Sequence, residues 1–433
     1  MDFLGPQVLT AAASSTTSFD RSLLVLGALL VLGALLAGLA RRSFLSLTAV
    51  FVVFGFALGN GGFEVLSFSP RSTFVDELAI LALIVLLFRD GLEVDAELLQ
   101  TAWHLPLRKL VLAMPLTAGL IAGATKLLTD LSWSEAFLLG ALLSPTDPVL
   151  SSSVVNNPRV PRLVRHSLNL ESGMNDGLAL PAVVAFASAL DVSGGDFVWW
   201  RFVLQDLVLG LAYGLAMGLI ASVLMPRVGG RRERLSAHEK ALYALGLAVA
   251  TYGITVIEPH GNGFIAVYVC AIVLGLRRPD VTEAFRQRSE DLIEIVKLVI
   301  FVVFGALLTF DGLFADGWAA VAIAAFTLVV ARPVAVFAAL SGARCTWITK
   351  GFMAWFGPKG VATMAFSLFV LGKAIPAGER IFNLAALVVF VSIIAHGLTD
   401  TPGANWIARR SEADERAVEG DPAAESDPAA APA

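Results

Sequence analysis

The sequence predicts an all-α polytopic membrane protein with about 13 transmembrane helices, arranged as two inverted six-helix repeats with paired broken helices. Three observations carry this. Of 433 residues, 57% are hydrophobic and 15% are charged, with a mean hydropathy of +0.76. A soluble domain has roughly 25% charged residues, so this chain lacks the polar surface that water requires. Apolar runs long enough to cross a bilayer recur along it, and Lys and Arg gather in alternate connections between the runs. The net charge of −5 and the lack of a basic domain exclude nucleic-acid binding as a main role.

Residues 1–21 read as an extracellular segment, and a cleaved signal peptide is not indicated because no Lys or Arg precedes Arg21. The apolar runs lie near 22–40, 43–59, 73–89, 108–129, 133–156, 163–190, 202–225, 238–257, 263–276, 290–309, 317–340, 347–372 and 381–400. The run at 263–276 is short and fits either a full crossing or a partly re-entrant one. Residues 401–433 read as a cytoplasmic tail. Its stretch 411–433, with seven acids, one base and no apolar periodicity, is expected to be disordered.

Counting basic residues tests the spans. One set of alternate connections, from Arg41 and Arg42 through Arg108 and Lys109 to Arg409, Arg410 and Arg416, holds 22 of them, and the opposite set holds six. The split puts the N-terminus outside and the tail in the cytoplasm of a cell membrane. Three bases remain at membrane depth, Lys297, Arg332 and Lys359, together with the acids Asp147, Glu171 and Asp176. Asp76 and Glu77 lie near one end of the third run. Ionisable groups at that depth are costly and are usually paired or functional. Lys297, three residues after Glu294, reads as a local helix pair, and Arg332 before Pro333 as a brace. His166 and His260 are candidates for tuning a pH response.

The fifth run contains Ser144-Pro-Thr-Asp-Pro148 and the twelfth contains Phe356-Gly-Pro-Lys-Gly360. Prolines and glycines there interrupt a helix inside the bilayer, which is tolerated where neighbours or a wet cavity satisfy the freed backbone. If runs 1–6 (22–190) and 8–13 (238–400) are two units joined by run 7 (202–225), the breaks are equivalent and the units inverted. Such paired breaks mark the midplane site of a transporter. Asp147 has the sign to neutralise half-helix N-termini, and Lys359 the sign to neutralise C-termini.

The sixth run carries Asn169-Leu-Glu-Ser-Gly-Met-Asn-Asp-Gly177. Ser172 and Asp176 stack at i,i+4, offering oxygen to a hard cation, with carbonyls around Thr146 and the Asp147 carboxylate to complete the set. Glu171 points roughly 140° away from Asp176, by the helical period, and is left to pair with Lys359.

Taken together, Ser144–Pro148, Glu171–Gly177 and Phe356–Gly360, in this order on these runs, resemble the sodium/proton exchangers of the monovalent cation–proton antiporter superfamily. Residues 86–95 (LLFRDGLEVD) and 331–333 (ARP) add weaker matches, and the resemblance spans about 22–400. It implies a homodimer in which each protomer has a dimerisation domain and a mobile core that moves like an elevator. It implies that Asp176 is shared alternately by proton and cation, with Ser172, Thr146 and Asp147 holding Na+ or Li+. Asn175 matches the electroneutral branch, where the electrogenic branch has a second Asp, so one proton per cation is expected. That family often has Arg at the position of Lys359, and an acid on its third span is sometimes a further ligand, for which Glu77 is the candidate. No cofactor is implied. Potassium/proton or broad alkali exchange is the alternative. An intramembrane hydrolase lacks any HExxH or GxSxG motif here, and a channel is expected to have a continuous pore lining rather than paired breaks.

Overall fold

The computed structural model describes residues 47–66, 68–94, 104–147, 157–158, 160–193, 196–225, 235–257, 261–343 and 345–419, with Leu24, Gly27, Ala28, Val31 and Leu35. The first expected span, Pro148 with the second half of the fifth, and His260 lie outside these residues or almost wholly so. Among the described residues there are 14 helices and no strand.

The first two helices are α1 (Leu47–Leu58) and α2 (Thr73–Leu92). The next, α3, runs from His104–Arg108 through a π-helical turn, Lys109–Ala113, into Met114–Leu128. Then come α4 (Trp133–Leu143) and α5 (Arg162–Leu190). A second composite helix, α6, joins Trp199–Arg201, a π turn Phe202–Val208 and Leu209–Leu224. After it follow α7 (Ala237–Ile257), α8 (Gly263–Arg277), α9 (Pro279–Ala306) and the short α10 (Phe310–Leu313). The third composite, α11, joins Trp318–Phe326, a π turn Thr327–Ala331 and Arg332–Ala339. The last are α12 (Trp347–Trp355), α13 (Val361–Gly372) and α14 (Gly378–Glu419). Six of these helices are long and apolar enough to cross a membrane. The short α8 is continuous from its Asn262 cap and buried along most of its length, so it needs no lipid-facing surface.

The chain's chemistry explains the irregularities. Proline has no N–H to donate and its ring crowds the carbonyl four residues back; a π turn absorbs that conflict. The π turn of α3 leads into Pro115 and that of α11 into Pro333, within Leu110-Val-Leu-Ala-Met-Pro115 and Leu328-Val-Val-Ala-Arg-Pro333. These helices are the fourth and eleventh expected spans, equivalent places in the two expected repeats. Exposed tryptophans start α4, α6 and α11 on one level, while Trp347 and Trp406 mark the other end of the bundle, the two aromatic rims of a membrane protein.

Packing divides the helices into two groups. In one, α1, α2 and α6–α9 pack on one another; in the other, α3–α5 and α11–α14 do so. They meet where α2 crosses α5 and α13. One expectation fails at the C-terminal end. Helix α14 continues through Pro402 to Glu419, so residues 411–419 are helical where a disordered stretch is expected; a helix already nucleated in the last span extends through Ala, Arg and Glu, which favour it.

Beyond the helix ends, Arg278 caps the end of α6 through the Met225 carbonyl at 2.7 Å, and with Lys240 it holds Asp280. Hydrogen bonds from Arg278, then from Lys240, pull the Asp280 carboxyl down to about 2. A depressed carboxylate stabilises the fold above its ordinary range and loses that contribution as pH falls through its folded value. Asp280→Asn therefore lowers the melting temperature near neutral pH, and the deficit closes toward pH 2. A deficit independent of pH contradicts the assignment.

Candidate functional site

Both breaks leave backbone groups without helical partners at membrane depth, and each must be answered by a side chain. Helix α4 stops at Leu143, and residues 144–147 run on without helix; α12 stops at Trp355, and α13 resumes at Val361. The two breaks lie against each other. The Asp147 amide donates to the Pro358 carbonyl at 2.8 Å, and the Lys359 ammonium donates to the Pro145 carbonyl at 3.1 Å. The Val361 amide, first in α13, donates to Asp147 Oδ2 at 3.4 Å. An anion thus sits at a half-helix N-terminus and a cation at the open end of α4, the signs the helix dipole favours. Gly360 makes the contact possible, since a Cβ there overlaps the Asp147 side chain.

Other helices answer the remaining groups of the second break. Arg332 donates to the Met353 carbonyl at 3.4 Å. His396 of α14 faces the Trp355 carbonyl through Nε2 at 2.8 Å, and Ser392 Oγ accepts from the Lys359 amide at 2.9 Å.

Glu171 on α5 is held by two cations. Lys109 Nζ lies 2.6 Å from Oε2 and Arg332 Nη1 3.0 Å from Oε1, while Thr146 Oγ1 donates to Oε1 at 3.3 Å. The predicted pair of Glu171 with Lys359 is therefore incorrect: Lys359 is spent on Pro145, and Lys109 takes its place. The sequence pattern groups Lys109 with Arg108 at the membrane surface, yet it sits one turn inside α3 and is 1% exposed. Arg332 is brought to the same carboxylate from the equivalent helix of the other repeat.

One helical turn on from Glu171, Asn175 donates its amide to the Thr146 carbonyl and, at 3.2 Å, to Thr146 Oγ1. That carbonyl is thereby engaged, and Asn175 fixes the break rather than leaving its oxygens open. Asp176, next on the helix, faces two further carboxylates, Asp90 and Asp147. The side chain of Ser172, like that of His166, lies outside the described residues.

Asp90 is the candidate site residue that sequence reasoning misses. It is 3% exposed on α2, with Oδ1 bound to Arg89 Nε at 2.8 Å and its carboxyl within hydrogen-bonding reach of Asp176. Glu77, the predicted third-span acid, is exposed on the opposite end of that helix, 13 residues or roughly 20 Å away by the helical rise. Helix α2 carries Asp76 and Glu77 at one end and Arg89 and Asp90 at the other, and its depth and rotation against α5 decide which of them reaches the breaks. Lys297 likewise faces Asp147, Asp90, Glu93 and Arg89, not Glu294 as its spacing suggests.

What distinguishes Asp176 is its charge environment. Glu171 has two cationic partners, Asp90 has Arg89, and Asp147 caps a helix. Asp176 is 8% exposed and takes part in no ion pair among the described residues. A buried carboxylate without a counter-ion is stable only with a proton or with a bound cation. The carboxylates of Asp90 and Asp147 that face it are hard oxygen donors of the kind that suits alkali cations.

Comparison with known proteins gives four findings. The profile described as "Sodium/hydrogen exchanger, transmembrane" matches residues 28–406. The chain is 26% identical over 395 residues to the K(+)/H(+) antiporter NhaP of Alkalimonas amylolytica, covering 90% of this chain and 67% of that one. It is 27% identical over 356 residues to the Na(+)/H(+) antiporter NhaG of Bacillus atrophaeus, covering 77% and 66% respectively. The chain thus spans about two thirds of the length of these relatives. Its fold is similar to that of the sodium proton antiporter MjNhaP1 from Methanocaldococcus jannaschii, with a TM-score of 0.77 at 20% identity, covering 90% of this chain and 100% of that one.

Proposed function

Since the chain belongs to the sodium/hydrogen exchanger family, we propose that it exchanges monovalent alkali cations for protons across a membrane, with Asp176 as the carboxylate that carries either. The observation supporting this is the buried Asp176, without a counter-ion, beside two crossed helix breaks. Asp147 and Asp90 supply further oxygens, with Thr146 and Ser172 from the break and from α5. Asn175 holds the Thr146 carbonyl in register. A bare charge crosses the bilayer at high cost, so the site moves only when a proton or a cation neutralises it.

Asn175 stands where a second titratable acid is needed for electrogenic exchange, which supports one proton per cation. The group containing α5 and both breaks slides against α2, α8 and α9 in an elevator-like motion, driven by the gradients. The distribution of basic residues supports a cell membrane with the N-terminus outside and α14 entering the cytoplasm, and the protein works as a homodimer. Na+ and Li+ are the proposed cations. A second reading, potassium/proton exchange, is favoured by the name of the relative from Alkalimonas.

Inside-acid proteoliposomes with a pH-sensitive dye test the proposal. Addition of sodium, lithium or potassium salts collapses the gradient, and the rates rank the ions. Absence of any cation response between about pH 6 and 9 contradicts it. Gly360→Ala is a sharper probe of the crossed breaks. Its Cβ displaces Asp147 from the Val361 amide, so the cation KM rises about tenfold or more while the protein stays folded. An unchanged KM contradicts the role of that contact.

A further inference from the structure

Tyr268 on α8 touches two helix turns that carry facing carboxylates. Its backbone lies against α2 at the residue after Asp90: a Cβ on Gly91 comes within 2.7 Å of the Tyr268 carbonyl and of the Ala271 Cβ. Further along, a Cβ on Gly275 meets the Leu92 carbonyl at 2.9 Å. Helices α2 and α8 therefore press backbone to backbone and form one base.

The side chain crosses to the other group of helices. Its hydroxyl donates to the Gly173 carbonyl of α5 at 3.2 Å, and the residue is 7% exposed. Gly173 and Gly177 are four residues apart and share one face of α5. The ring lies in the groove they leave, since a Cβ on Gly177 stands 2.1 Å from its Cζ. Asp176 directly precedes Gly177, and the phenol lies beside both Asp90 and Asp176. Within a continuous helix the Gly173 carbonyl already has a backbone partner, so α5 does not need this bond to stay helical. What the bond adds is a fixed register of α5 against α8 and α2.

We propose that Tyr268 is a positioning residue for the transported cation, setting how Asp90 on α2 and Asp176 on α5 meet although they belong to different groups of helices. The hydroxyl holds the register along α5, and the ring over Gly177 sets how closely the helices approach. Because α5 slides against α2 and α8 in the reading above, the bond belongs to one arrangement of the groups and breaks as they move. The effect on transport rests on that reading; the effect on register does not.

The test compares Tyr268→Phe, which keeps the ring and deletes the bond, with Tyr243→Phe as a control. The Tyr243 hydroxyl donates to the Ala221 carbonyl at 2.9 Å, a bond of the same kind between α7 and α6, within one group. In proteoliposomes supplied with sodium or potassium, Tyr268→Phe raises the cation KM about three- to tenfold, the weight of one hydrogen bond, while kcat stays within about twofold of wild type. Tyr243→Phe leaves both constants unchanged, although each variant loses one hydrogen bond. Gly177→Ala, which pushes the ring off α5, raises KM at least as much, and adds nothing further in a Tyr268→Ala background. Amide hydrogen exchange in cation-free detergent reads the register without transport: Tyr268→Phe speeds exchange around Gly173–Gly177 several-fold, and Tyr243→Phe does not. An unchanged KM in Tyr268→Phe, or an equal rise in Tyr243→Phe, overturns the positioning role. If wild type moves no cation but only Tyr268→Phe speeds amide exchange on α5, the register role stands and the transport reading fails.

Discussion

Asp176→Asn abolishes cation–proton exchange, lowering the rate by at least about 100-fold, the scale of losing an essential proton-carrying group. The substitution keeps the side chain's size and its hydrogen-bonding oxygen, so the variant folds and reaches the membrane. What disappears is the negative charge on α5 that forms no direct ion pair among the described residues, Arg89 acting on it only from a distance. An asparagine is permanently neutral, as if always protonated, and it cannot drive cation binding by charge. Proteoliposome exchange with matched protein content and a monodisperse elution profile checks this. Exchange at wild-type rate in the variant sinks the site assignment.

Glu171→Ala has the largest expected effect on stability. Its carboxylate lies between Lys109 and Arg332, all three nearly inaccessible. Removing the shared partner of a buried pair leaves uncompensated charge, a loss of about 3–5 kcal/mol. Two cations are then left facing each other across α3 and α11. Lys359→Met is expected to be milder, because that ammonium has a carbonyl rather than a carboxylate as its partner. Thermal unfolding of the three proteins in one detergent measures the contrast. A Glu171→Ala protein as stable as wild type, or a Lys359→Met protein that is the less stable of the two, contradicts the clamp.

These two residues show what a sequence reveals and what it conceals. The helical spans, the breaks at Pro145 and Pro358 and the acidic helix between them are legible because each is a local property: apolar length, a missing amide hydrogen, or a charge where charge is costly. Even the partnership of two repeats is written in the chain, as Leu-Val-Leu-Ala-Met-Pro and Leu-Val-Val-Ala-Arg-Pro before the two π turns. Partners across helices are not local. Glu171 has three nearby cations within the chain's vocabulary, and which two reach it depends on how α3 and α11 rotate about their axes. Asp90 was hidden for the same reason, since Arg89 beside it looks like an interfacial charge in the one-dimensional pattern. His396 shows a further limit: its spacing to Ser392 is that of any helical pair, and its meaning appears only when Trp355 and Lys359 are brought to it.

The central claim is that one carboxylate is occupied by a proton or by a cation, never by both. Purified protein in weakly buffered detergent solution, titrated with sodium or potassium chloride beside a pH-sensitive dye, tests it without a membrane. Cation binding is expected to release close to one proton per protomer, with none released by Asp176→Asn. Calorimetric binding of the cation without proton release, or equal release from the variant, contradicts it.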